Sequence, residues 1–161
     1  MATPRILVVP GGTAINAVAL VDGKPETLGL KEMLRVFLDH RIEVTTRRCE
    51  FRLSKHRDRL HLVEGLLIAV LDIDDVIAII RSSDDVETAR DRLQTAFDLS
   101  EVQANHILEL RLRRLTKFSR LELESERDEL NAKIAELEEI LGSQARLYEL
   151  ISNEMSDVAK R

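Results

Sequence analysis

The sequence predicts a mainly α-helical protein: a long antiparallel coiled-coil stalk capped by a small helical globular knob, with a short N-terminal β-hairpin or irregular segment. Three observations predict it. No proline follows Pro25, so 136 residues are free of the strongest helix breaker. Leucine and isoleucine recur at heptad spacing late in the chain, which is the pattern of a coiled-coil seam. Between that seam and an earlier long amphipathic stretch lies a segment of about 60 residues that is dense in aliphatic side chains.

Composition agrees. Of 161 residues, 33% are charged and 3% aromatic, with six glycines and no tryptophan. Helices joined by short turns fit this better than a sandwich or barrel, which draws on β-branched and aromatic residues. A net charge of -5 does not invite DNA or an anionic membrane. The local balance is more telling. Residues 31–60 carry nine basic and five acidic side chains, whereas residues 119–161 carry six and eleven. Helices of opposite sign can pair antiparallel, the charges choosing the partner more than stabilising it. The single cysteine, Cys49, excludes an internal disulfide and fits a reducing cytoplasm. No apolar run reaches the roughly 18 residues of a membrane span. Ile6-Leu7-Val8-Val9-Pro10 is too short for a signal peptide.

The elements follow in order. Residues 1–15 form a leader with an apolar stretch at Ile6–Val9, ended by Pro10-Gly11-Gly12. Residues 16–30 read as a short hairpin, Asp22-Gly23 making the turn. A first, descending helix is expected over 31–57, with Leu34, Phe37, Arg41, Val44, Arg48, Phe51 and Lys55 along its seam. Residues 58–118 form the globular part. Asp72 or Asp74 would cap a short helix there. Ser82-Ser83 would cap another over 84–96 that buries Val86, Ala89, Leu93 and Phe97. Ser100 followed by Gln103 has the capping-box form, opening a helix with Val102, Ile107, Leu108, Leu110, Leu112 and Leu115. The returning helix, 119–141, carries the seam Leu123, Leu130, Ile134, Leu137 and Leu141, with Arg127 at one otherwise apolar position. Gly142 reads as a C-cap, and a last helix over 143–161 uses Leu147, Ile151 and Val158. The stalk would run about 35 Å, from ~25 residues at about 1.5 Å each. A knob of about 60 residues is marginal alone and holds more leucine and isoleucine than it can hide. A symmetric homodimer would cover the surplus.

The residues also carry a resemblance. Thr27-Leu28-Gly29-Leu30-Lys31, Asp39-His40-Arg41 through Thr45-Thr46-Arg47-Arg48, and Glu50-Phe51-Arg52-Leu53 with His61-Leu62-Val63-Glu64-Gly65-Leu66 resemble the A subunits of bacterial DNA gyrase and topoisomerase IV. So do Val76 to Arg81, Leu99 to Ala104, and above all Ile107-Leu108-Glu109-Leu110-Arg111-Leu112-Arg113-Arg114-Leu115-Thr116, followed by Glu122. The similarity covers about residues 16–161, and residues 1–15 depart from it. The resemblance implies the coiled-coil arm and the exit gate, where two copies meet and a passing duplex leaves. It implies a catalytic tyrosine upstream of this region and a DNA-wrapping domain downstream, and no enzyme activity in these residues. It implies no cofactor here. The parent complex would use ATP and Mg2+ at sites outside these residues, its ATPase being a separate subunit, gyrase B. Partners would be a second copy, that ATPase subunit, and DNA through other domains. The alternative is a free-standing coiled-coil adaptor that pairs with full-length subunits.

No motif points to catalysis or a metal. Tyr148 has Arg146 nearby but lies in an ordinary amphipathic helix, without the metal-bound carboxylates that phosphate attack requires. His40, His56, His61 and His106 lack metal-ligand spacing. Asp72, Asp74 and Asp75 are explained by capping, and Gly11-Gly12 lacks the lysine of a phosphate loop. Leu108, Leu112 and Leu115 are candidates for the dimer contact or the knob core. Arg111, Arg113, Arg114, Lys117 and Arg120 form a basic cluster for DNA backbone contact or for salt bridges.

Overall fold

Gly23 has φ +77°, a backbone conformation that side chains rarely allow, and it sits in the turn of a two-stranded hairpin. The computed structural model describes residues 17–21, 23–110 and 120–160. Strands β1 (Ala17–Val21) and β2 (Lys24–Leu28) pair antiparallel, Ala17 opposite Leu28 and Val21 opposite Lys24. The rest of the described chain is helical: α1 (Leu30–Leu71), α2 (Ile73–Arg81), α3 (Val86–Phe97), α4 (Glu101–Glu109), α5 (Arg120–Gly142) and α6 (Gln144–Ala159). The fold is therefore mainly α with long packed helices and a small hairpin, as the sequence predicts.

The chain divides into two compact units. One comprises Met1–Arg48 and Gln144–Arg161, the other Cys49–Ser143. In the first, Arg41 and Arg48 of α1 both reach Glu154 of α6, at 3.0 and 2.5 Å. In the second, one core joins Val63, Leu66 and Ala69 of α1, Val76 of α2, Leu93 of α3, Leu99, Ala104 and Ile107 of α4 and the turn before it, and Leu123 and Leu130 of α5. Within it α5 runs antiparallel to α1: Arg57 meets Glu138 at 2.5 Å, and Arg59 meets Glu126 through two bonds of 2.7 and 3.1 Å.

Several expectations are corrected. The first helix does not stop near residue 57 but runs unbroken to Leu71. Gly65 is the one helix-weakening residue on the way, and it serves close packing. A Cβ there would come within 2.7 Å of Gln103 Cγ. The buried stripe of α1 is also not the expected one. Phe51 is 65% exposed and Leu34 56%, while Thr45, Cys49 and Leu53 are buried. Thr45, Cys49 and Leu53 recur every four residues and so lie along one face of the helix.

Other corrections are local. Asp72 is the N-cap residue of α2, but its side chain makes no capping bond. Helix α3 begins at Val86 and is capped by Asp85, which accepts from the Thr88 amide. Ser83 instead donates its hydroxyl to the Ile79 carbonyl and closes α2. Val86, Val102 and Val158 are exposed. On α5, Leu123, Leu130 and Ile134 are buried, Leu137 and Leu141 are half-buried, and Ile140 is a buried residue the heptad reading passed over. Gly142 ends α5 without a left-handed φ; among the described residues only Gly23 and Asp98 have positive values.

Candidate functional site

The packed centre of the second unit is built from a capping box. Ser100 Oγ accepts from the Gln103 amide at 3.2 Å, and Gln103 Oε1 accepts from the Ser100 amide at 3.0 Å. That fixes the start of α4. The Gln103 side chain then donates from Nε2 to the His61 carbonyl on α1 at 2.7 Å, and His61 Nε2 lies 2.7 Å from Ser100 Oγ. Gln103 is buried, so these bonds satisfy a polar group that would otherwise be costly to desolvate. Gly65 makes room for it. The capping motif thus docks α4 onto α1 and orients the short helices around it. His61 is exposed and takes part as a hydrogen-bond partner of Ser100 and Gln103, and no group of three or more metal-ligating side chains is present among the described residues.

The candidate residues fall unevenly. Leu108 is half-buried and packs against the core. Leu112, Leu115, Arg111, Arg113, Arg114 and Lys117 lie outside the described residues. Arg120 is placed in the first turn of α5, where its Nε reaches Glu124 at 2.7 Å, so it makes a salt bridge within its own helix. Leu123, Leu130 and Ile134 are brought together on the buried face of α5. Arg127 is partly exposed and turns to Asp128 at 2.9 Å, leaving the seam to its apolar neighbours.

Two sets of ion pairs define the charged faces. Arg57 and Arg59 with Glu138 and Glu126 are largely exposed, so each contributes little. Arg41 and Arg48 share Glu154 and are only about a third exposed. The Nε atoms of both arginines and Thr45 Oγ1 are buried without a hydrogen-bond partner. One carboxylate therefore pairs with two partly desolvated guanidinium groups. Sequence reasoning found the opposite signs of these helices but not the sharing of Glu154. The signal was there: Arg41, Thr45 and Arg48 recur at four and three residues, with the small residue in the middle. Asp85 is held below the usual carboxylate range, chiefly by the bond from the Thr88 amide and then by the Thr88 side chain.

Residues 10–156 match the family of DNA gyrase and topoisomerase IV A subunits. This chain belongs to that family. It is 47% identical over 146 residues to the DNA gyrase A subunit of Streptomyces coelicolor, covering 91% of this chain and 17% of that protein. Against the corresponding protein of Staphylococcus epidermidis the identity is 46% over 147 residues, 91% of this chain and 16% of the relative. Against that of Metamycoplasma arthritidis it is 46% over 145 residues, 90% and 16%. The chain spans about a sixth of the length of these curated relatives.

Tyr148 lies within the gyrase-family match, on α6. Its hydroxyl accepts from Gln144 Nε2 at 2.7 Å, and Arg146 Nη1 bonds Glu149 at 2.7 Å. Asp74 and Asp75 are exposed in the first turn of α2, where negative charge favours the helix dipole. No helix among the described residues is long and apolar enough to cross a membrane. The match begins at residue 10, inside the leader expected to depart from the family, and leaves Ile6–Val9 outside it.

Proposed function

We propose that this chain is a structural homodimerisation module, the exit gate of a gyrase A-type protein, supporting passage of double-stranded DNA without itself cleaving DNA. The observation that carries the reading is the second unit. An antiparallel, Arg–Glu-tied pair of long helices shares one apolar core with three short helices, in a chain of the gyrase A family. A long helix pair transmits position, and a small helical cluster with aliphatic surplus offers a surface for a second copy. In this reading α1 and α5 form the arm, and α2 to α4 with residues 110–119 form the gate. Leu108, Leu112 and Leu115 line the contact or its support. Arg111, Arg113, Arg114 and Lys117 serve salt bridges at the gate. Other domains of such a protein engage DNA and the ATPase partner, in a bacterial cytoplasm.

The test is sedimentation of the purified chain at micromolar concentration. The expected species is a dimer of two 18.3 kDa chains. Leu112→Asp is expected to abolish it, because a carboxylate cannot be desolvated cheaply at a contact or in a core. A wild-type monomer would overturn the reading. Supercoiling and cleavage assays on the chain alone are expected to be blank, and DNA cleavage by it would equally count against a purely structural role.

A further inference from the structure

The first unit carries an apolar groove between its two helices. Leu30, Leu34 and Leu38 of α1 line one side, and Tyr148, Ile151 and Met155 of α6 the other, around a volume of about 1190 Å3. Of these six only Ile151 is buried, and Leu30 is 75% exposed. Contiguous apolar side chains on a water-facing surface mark a docking site. Charge along the groove is uneven. Every α6 residue that lines it is uncharged. Helix α1 adds Lys31, Arg35 and Asp39, none of which makes an ion pair with a described residue, so the lining carries one excess positive charge. The excess continues beyond Leu38, where Arg41 and Arg48 share the single carboxylate of Glu154.

We propose that the groove takes an amphipathic helix of a partner protein, apolar along one stripe and acidic on the flank that meets Lys31 and Arg35. A furrow between two helices accepts a third, with apolar anchors every three or four residues. The α1 side from Leu30 to Ile42 is about 18 Å long, which matches about twelve residues of a docked helix. Lys31 and Arg35 are four residues apart on one face of α1, so they select carboxylates one turn apart on the partner. Exposed ion pairs of this kind choose the partner more than they strengthen its binding. A small ligand suits the groove less. Its volume exceeds the roughly 300–1,000 Å3 of small-molecule sites, and a lining as exposed as Leu30 would leave such a ligand wet. A second copy docking groove on groove would bring two cations to the contact for each aspartate, which charge opposes. The inference rests on the first unit alone, whereas the exit-gate reading rests on the second.

The experiment uses the full chain and a fluorescently labelled synthetic peptide of about fifteen residues, with leucines at helical spacing and two glutamates one turn apart on the flank. A control peptide has lysines in place of the glutamates. Fluorescence anisotropy is expected to show saturable binding of the acidic peptide, with the basic one roughly tenfold weaker. Lys31→Glu together with Arg35→Glu is expected to reverse that preference, and Leu34→Asp to abolish binding of both peptides, with helical circular dichroism unchanged in each variant. No saturable binding would overturn the proposal. So would equal binding of the two peptides, or an acidic preference that survives the double charge reversal. A chain that sediments as a dimer and becomes a monomer on Leu34→Asp would assign the groove to a second copy and equally sink it.

Discussion

Gly65 of α1 faces the Gln103 side chain of α4, and two effects of opposite sign meet there. Alanine would improve helix propensity by about 1 kcal/mol. Its methyl would also press on Gln103 Cγ and Cβ at 2.7 and 2.9 Å, atoms held by the capping box and by the bond to His61. Overpacking of that kind costs about 1–3 kcal/mol. Gly65→Ala is therefore expected to lower stability, by up to about 2 kcal/mol, in urea unfolding. A raised urea midpoint would show that Gln103 yields freely. Asp85 makes a different point at the same scale. Its folded carboxyl titrates below the ordinary aspartate value because the ionised form accepts the Thr88 amide. A lowered folded value means a contribution present above the unfolded value, near 3.9, and lost as pH falls through the folded one. Thermal melts of Asp85→Asn are expected to lose this part of the acid dependence while keeping α3. An acid profile identical to wild type would remove Asp85 from the account.

Helices here are matched by charge and seated by small residues. The exposed pair Arg59–Glu126 and the shared Glu154 use the same chemistry with different consequences. Glu126→Gln removes a partner from an arginine that water can resolvate, so the loss should stay within about 1 kcal/mol. Glu154→Gln leaves Arg41 and Arg48 close together, partly desolvated, with buried Nε atoms already lacking partners. Its cost should be the larger, about 1–3 kcal/mol. Chemical unfolding of the two variants side by side checks the ranking, and equal losses would refute the distinction. The same reasoning explains the seam of α1. Arg41 and Arg48 were legible as seam positions because long stems can cover an apolar face. Thr45 and Cys49 lie on neighbouring positions of the same face, and the seam reading passed over both although cysteine is usually buried.

For the molecule as a whole, the decisive quantity is association. A dimer in sedimentation, and its loss in Leu112→Asp, would show that the aliphatic surplus of residues 58–118 is shared between copies. The sequence by itself determined the helical class, the hairpin turn at Gly23, the capping box at Ser100 and Gln103, and the family. Each of these rests on a local pattern: a breaker, a cap, a heptad, a string of residues. Only the tertiary structure decided that α1 continues to Leu71, that its buried stripe is Thr45, Cys49 and Leu53, that Ile140 joins the seam and that Glu154 serves two arginines. Those features depend on which helix lies opposite and how near it comes, and periodicity along one stretch of sequence carries no record of that distance.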